Sequence, residues 1–329
     1  MVTAVDSFLR DQLLTRREKL DRAVRSPGGS VHLQSLLEQV DDALERMEEG
    51  SYGLCEVCRD SIESDRLIAD PLVRFCLDHL SREERQDLER DLRLAARVQQ
   101  GLLPEKSTSR HGWHICYHYE PAGLVSGDYC DVIDTPDSGL YFMVGDVSGK
   151  GVAASMLMAH LHAMFRTLIS VGFSLQCMLQ HASRVFAEST LPNQYATLVC
   201  GRALPDGRVE LCNAGHPFPL VVRSGEVSAL ETSDVPVGMF CNSKFSVTKL
   251  DLRAGDGILI YSDGVSESTD ASGWEYGTDR LRSFISKQGI DPAALLASCR
   301  DDLTIFRRDC RKADDVTLFV LGRSTIETV

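Results

Sequence analysis

The sequence has no uninterrupted apolar run close to the ~20 residues that a membrane-spanning helix needs, which argues against an anchor of that kind. Its first residues, MVTAVDSFLRDQLLTRREKLDR, are charged throughout and lack the apolar region of a signal peptide. Basic residues are in deficit. Against 48 Asp and Glu stand 35 Lys and Arg, a net charge of −13, the wrong sign for a sequence-blind grip on nucleic acid phosphates. Cysteine is plentiful, but a paired framework is lacking. Of eleven cysteines three fall in one tight cluster, and Cys116, Cys130, Cys177, Cys200, Cys212, Cys241, Cys299 and Cys310 are scattered. Scattered thiols in a chain without an export signal read as reduced core residues, so the expected compartment is the cytoplasm. Internal repeats and low-complexity tracts are absent. With 329 residues, 43% apolar and 25% charged, the chain has room for about two domains at roughly 100–200 residues each, which excludes wholesale disorder.

Up to about Leu103 the texture is helical and highly charged. Leu36, Leu37, Val40, Ala43, Leu44 and Met47 recur at helical spacing until Gly50. The turn signal SPGGS at Ser26 to Ser30 precedes them, so two helices form an antiparallel hairpin. A third helix is expected from Ser81, with Glu84 as capping-box partner, to Pro104, followed by the polar stretch KSTSRHG as a linker. Within it Leu88, Leu92, Ala95, Gln99 and Leu102 alternate spacings of four and three, a coiled-coil seam that points to a parallel homodimer through helix 81–103. From Trp113 short apolar runs alternate with turn residues, as strands do. Helical stretches interrupt them near Ala153–Ile169, Leu175–Ser189 and Pro292–Arg307. The layering is α+β, and the expected division is 1–80, 81–112 and 113–329.

Cys55-x-x-Cys58 is followed by Cys76-x-x-His79. Two such knuckles can close a tetrahedron of soft and borderline ligands on one Zn²⁺, with no open position, so the metal is structural. ALERMEEGSYGLCEVC and RLIADPLVRFCLDH resemble the zinc-finger region of the DksA/TraR family, in which a helical hairpin also precedes the finger. His79 stands where that family commonly has a fourth cysteine, and SPGGS lacks the acidic tip through which DksA-like proteins act on RNA polymerase.

Four acidic motifs punctuate the remainder: SGDYCD with Asp128, GDVSGKG with Asp146, YSDGVSES with Asp263, and ADDVTLFVL with Asp314 and Asp315. Apolar runs beside three of them place carboxylates at strand ends, and Gly127, Gly145 and Gly264 permit close backbone approach. Hard oxygen ligands from separate strands suit Mg²⁺ or Mn²⁺, and a pair of such ions supports phosphate hydrolysis. The GKG of GDVSGKG is no P-loop, because Gly151 follows Lys150 where Ser or Thr is required. His216 in NAGHPFP is weighed as a general acid against the plainer role of shaping a turn.

The order of motifs from ARVQQGLLP to DDVTLFVL resembles PPM-type protein serine/threonine phosphatases of the SpoIIE/RsbU-like branch. That resemblance implies a β-sandwich between helices, an α/β/β/α layering, after a helical hairpin with its zinc finger. It implies that Asp146 bridges two metal ions, that the Val147 carbonyl serves one of them, and that Asp128, Asp263 and Asp314 are the other acidic ligands, Asp314 preferred over Asp315. Eukaryotic-type PPM enzymes carry a His where Ser148 lies here. The implied substrate is a phosphoprotein, a STAS-type anti-sigma-factor antagonist, dephosphorylated under control of the zinc module. The rival reading is a DksA-like transcription regulator or adaptor whose large domain only binds.

Overall fold

Apolar residues at helical spacing bring the first two helices together. In α1 (Ala4–Val24) and α2 (Val31–Glu49) the buried Leu13, Val40 and Ala43 share one cluster with Leu20, Leu44 and Met47, and Arg17 reaches Asp41 at 2.5 Å beside that seam. The computed structural model describes residues 4–25, 31–80, 82–136, 139–191, 193–240, 242–288, 291–308, 310 and 312–324. The expected turn at Ser26 to Ser30, the helix start at Ser81 and Cys241 lie outside them. Two compact units divide the chain, Met1–Asp91 and Leu92–Val329, each with its own core.

The first unit continues with α3 (Ser64–Ala69) and a 3₁₀ turn at Leu77–His79. The unit boundary falls within α4 (Arg82–Leu102), which ends two residues before Pro104, as the steric demand of proline on its predecessor requires. Of the expected seam, Leu88 is exposed, whereas Gln99 is buried and Leu102 packs on the core of the second unit. The two C-terminal seam positions therefore serve their own domain.

One expectation is corrected here. The stretch read as a linker contains strand β1 (Ser107–Arg110), antiparallel to β2 (Trp113–Glu120) with Ser107 opposite Cys116. Its side chains are mostly exposed, so no apolar alternation announces it. Backbone pairing at a sheet edge holds it.

Two antiparallel sheets follow. One runs β1-β2-β11-β10-β7-β8, where β7 is Leu220–Arg223, β8 Glu226–Ala229, β10 Gly257–Tyr261 and β11 Val316–Arg323. The other runs β3-β4-β5-β6-β9, where β3 is Asp128–Thr135, β4 Gly139–Val147, β5 Ala196–Ala203, β6 Arg208–Ala214 and β9 Thr248–Asp251. Between them lies a core that includes Trp113, Phe142, Val144, Ile260 and Phe319. β4 and β11 are buried almost throughout, as strands covered on both faces must be.

Helices cover both outer faces. α5 (Gly151–Val171) presents Ala154, Met158, Leu161, Phe165 and Ile169 at helical spacing, and α6 (Leu175–Ser189) is capped by Ser174, which accepts from Cys177 N at 3.3 Å. Both pack on the five-stranded sheet. Among the described residues α5 alone is long and apolar enough to cross a membrane. Its buried face is instead part of this core. α8 (Thr278–Ile285) and α9 (Pro292–Arg307), the latter capped by Asp291, contribute Leu281, Leu295 and Leu303 to the core over the other sheet. The α/β/β/α layering is thus realised.

Phe142 is fully buried and stacks on Phe319 of the facing sheet, centroids 5.8 Å apart. Phe142→Ala should destabilise the second unit by ~3–5 kcal/mol, read from the denaturant midpoint of that unit's unfolding transition.

Candidate metal centres

The first centre is built by local turns. Cys55 N donates to Asp60 O at 2.8 Å and Arg59 N to Cys55 O at 2.9 Å, folding the chain tightly around Cys58. The 3₁₀ turn places His79 N 3.0 Å from Cys76 O. Cys58 Sγ then lies 3.8 Å from Cys76 Sγ, which lies 3.2 Å from His79 Nδ1. The ligand atoms of Cys55, Cys58, Cys76 and His79 all fall within 4.8 Å of one another, a spacing that suits one tetrahedral ion. Burial opposes ionisation of Cys55, yet backbone N–H groups of Cys58, Cys76 and Val57 aimed at its sulfur lower the thiol to about 6. A thiolate, the form that binds zinc, is thereby favoured at Cys55, whereas Cys58, despite the Asp60 N–H, is raised to about 11 by burial and by the Cys55 and Cys76 sulfurs.

The second centre arises where ends of the two sheets meet. Register pairs Asp128 of β3 directly with Asp146 of β4. α7 (Asp263–Ser266) begins just after β10 and carries Asp263, and Asp314 and Asp315 immediately precede β11. Thr317 of β11 donates its hydroxyl to Asp128 Oδ2, so the facing sheet holds this carboxylate. Ser262 Oγ accepts from Thr317 N at 2.9 Å. Adding a Cβ to Gly264 would bring it to 1.9 Å from Asp315 O, and one on Gly127 would lie 3.1 Å from Val147 O and 3.2 Å from Asp146 Oδ1. Only glycine allows the first approach.

Electrostatics identifies what the centre wants. Burial, then the charges of Asp263, Asp314 and Asp315, raise Asp146 to about 7. Asp128, buried and facing Asp146, is held well above the usual carboxylate range. Asp263 is raised by burial and then by Asp314. A cation in contact is the exposed Lys150, with Nζ 2.8 Å from Asp314 Oδ2. Buried acids of one sign with this little compensation fit divalent cations, and oxygen donors from several strands suit Mg²⁺ or Mn²⁺. Among the described residues only the Cys/His quartet draws three or more ligand atoms within 4.8 Å. The carboxylates are spread more widely.

Neighbouring groups have plainer work. Asp315 accepts from Ala122 N at 2.7 Å and Gly127 N at 2.9 Å, so its carboxylate holds the loop before β3. Burial pushes His216 down to about 3, and its ring lies 2.9 Å from Thr197 Oγ1. It is a neutral residue in a turn closed by Asn213 Oδ1, which accepts from His216 N at 2.9 Å. Ser148 Oγ accepts from Tyr195 N at 3.0 Å. Sequence reasoning missed Thr317 and Gln99, although both lie inside recognised motifs. Gln99 is buried and bonds both backbone groups of Ser126.

Two facing antiparallel sheets, helices outside, and carboxylates at adjoining strand ends define a PP2C-type phosphatase fold. Residues 136–324 match the family model Stage II sporulation protein E (SpoIIE), more than half of the chain, and the chain belongs to the SpoIIE family. It is 25% identical over 241 residues to Phosphoserine phosphatase RsbU of Bacillus subtilis, covering 72% of this chain and 71% of that protein. With Protein IcfG of Synechocystis sp. it shares 26% identity over 267 residues, covering 71% of this chain but only 42% of IcfG. The solved SiaA-PP2C domain of Pseudomonas aeruginosa has a similar fold, TM-score 0.63 at 16% identity, covering 72% of this chain and 97% of that one. The RNA polymerase-binding transcription factor DksA of Caulobacter vibrioides is 30% identical over 87 residues, 25% of this chain and 61% of that protein.

Two tests follow from this geometry. Protein purified without chelator should carry about one zinc ion per chain, and Cys58→Ser should lose it, both read by elemental analysis. At the acidic centre, Asp146 keeps its proton up to about 7 against 3.8 for the ordinary side chain. The folded state therefore binds more protons in that interval, and stability of metal-free protein falls as pH rises through it. Asp146→Asn should flatten that fall, measured by urea unfolding in EDTA at about pH 5 and about pH 7.5.

Proposed function

We propose that this chain is a metal-dependent protein serine/threonine phosphatase, hydrolysing phosphoserine or phosphothreonine monoesters on a partner protein. The observation that carries this reading is the convergence of Asp128, Asp146, Asp263 and Asp314 at the meeting strand ends of a PP2C-type sandwich. Asp146, paired with Asp128 and raised by the charges of Asp263 and Asp314, would be shared between two ions, Mn²⁺ or Mg²⁺. Asp128, Asp263, Asp314 and the Val147 carbonyl would be the remaining ligands. When bound, such ions supply an activated water and a clamp on phosphoryl oxygens.

The chain's own residues set the stage for that chemistry. Thr317 holds Asp128, and Asp315 holds the loop that leads into it. Lys150 holds an exposed ammonium beside Asp314, where it would meet an anionic phosphoryl group. Burial keeps His216 neutral, so it is not the acid that protonates a leaving group.

Its likeness to a phosphoserine phosphatase supports a phosphoprotein substrate, and the motif resemblance to the SpoIIE/RsbU-like branch leads us to propose a STAS-type anti-sigma-factor antagonist. The zinc module acts as the regulatory input. The exposed Leu88, with Leu92, provides an apolar start for dimerisation along α4, with no role for nucleic acid or membrane.

Mn²⁺ should support dephosphorylation of a phosphoprotein and EDTA should abolish it. Asp146→Ala and Asp263→Ala should each lower turnover by about a hundredfold or more, and near-normal turnover in either would overturn the centre. Leu88→Glu combined with Leu92→Glu should convert dimers to monomers with altered turnover. Light scattering that finds wild-type monomers at tens of micromolar removes the dimer from the scheme.

A further inference from the structure

We infer that Gln99 is a positioning residue for the acidic centre: its carboxamide lets the last turns of α4 set the backbone of Ser126 and, through it, the placement of Asp128. This inference rests on the proposed catalytic reading only for its consequence, not for its geometry. Gln99 is 6% exposed. Its Nε2 donates to Ser126 O at 2.6 Å and its Oε1 accepts from Ser126 N at 3.0 Å. A side-chain amide is a neutral group with donor and acceptor side by side, so it pairs with a peptide as a neighbouring strand would.

Ser126 is a well-placed point to hold. Its Oγ accepts from Asp128 N at 3.0 Å, so the residue pinned by Gln99 itself pins Asp128. Asp315 grips the same loop from the other side at Ala122 and Gly127. Gly127 lies close against Val147 O and Asp146 Oδ1, leaving little room for a shift at Ser126 to be absorbed before it reaches them. Tyr119 adds a further hold, donating its hydroxyl to Asp128 O at 3.3 Å.

The helix end that carries Gln99 packs on one side, through Leu102 and Leu103, against the core of the second unit. An open-sided cavity of about 410 Å³ lies beside it, lined in part by Leu103, Tyr117, Tyr119, Pro121 and Leu124. Any displacement of Gln99 from Ser126 would break both bonds together, leaving the buried Ser126 N–H and C=O without these partners. The polar residue that weakens an otherwise apolar seam thus has a reason: it reads α4 into the loop ahead of Asp128.

The test uses the full chain without substrate. Gln99→Met keeps the length and removes both hydrogen bonds. It should weaken Mn²⁺ binding, measured by calorimetry, about tenfold or more, with faster amide exchange confined to residues 121–128 and an unchanged exchange pattern elsewhere. Gln99→Glu supplies a second readout, because a protonated carboxyl again offers a donor and an acceptor. Its Mn²⁺ affinity, taken relative to wild type at each pH, should approach wild type at low pH and fall as the new side chain ionises. The Gln99→Met ratio should stay low throughout. Affinity within twofold of wild type in Gln99→Met, or exchange accelerated across the whole second unit, would overturn the inference. If binding and exchange respond as stated while wild type hydrolyses no phosphoprotein, the positioning role stands and the catalytic reading fails.

Discussion

Like charges gathered where water is scarce are the constraint around which this molecule is arranged. Asp128, Asp146 and Asp263 are each pushed toward their protonated forms by burial and then by a neighbouring carboxylate, Asp146 for the first, Asp263 for the second and Asp314 for the third. A chain left to relax would separate them. Here they are fixed at strand ends and turns whose hydrogen bonds and cores are formed elsewhere, so the cost is met by the whole sandwich. The two sheets, the glycines that let backbones touch, and the side chains that hold the loop before β3 all serve to keep incompatible groups in place. A site strained in this way gains most from divalent ions, which turn repulsion into coordination.

The two candidate centres illustrate opposite uses of metal. Cys55, Cys58, Cys76 and His79 form a small closed set inside a unit with few buried side chains of its own, including Leu9, Ile62 and Leu67. A metal ion held by such a set would supply folding energy beyond that of the modest core. The acidic centre sits on a large prefolded scaffold and contributes nothing obvious to holding it together. Soft ligands in a tight quartet and hard ligands spread over strand ends therefore mark structural and chemical roles by donor type and spacing alone.

How far this was legible in the sequence depends on where each signal resides. α6 and α9 were legible as helical stretches near Leu175–Ser189 and Pro292–Arg307, and the structure shows their starts capped by Ser174 and Asp291. The four aspartates stood out because apolar runs and glycines sit beside them. β1 was illegible, since STSR at a sheet edge has no apolar face and owes its conformation to backbone pairing with β2. Gln99 was legible only as a flaw in a coiled-coil seam. Its partner is a backbone peptide 27 residues away, and backbone groups leave no mark in a sequence.

The neighbouring Asp314 and Asp315 show how local geometry separates two identical side chains. Successive residues entering a strand point to opposite sides, so both carboxylates cannot serve one cleft equally. Asp315 accepts two backbone N–H bonds from the loop at Ala122 and Gly127, which occupies its oxygens structurally. Asp314 instead accepts from its neighbour Asp315 N, at 2.9 Å, and meets the exposed Lys150 in an ion pair whose two side chains are 69% and 39% exposed. Pairs of that kind contribute only ~0–1 kcal/mol. Displacing Asp315 would therefore free the loop that leads into Asp128, whereas the ion pair of Asp314 with Lys150 would be lost at little expense.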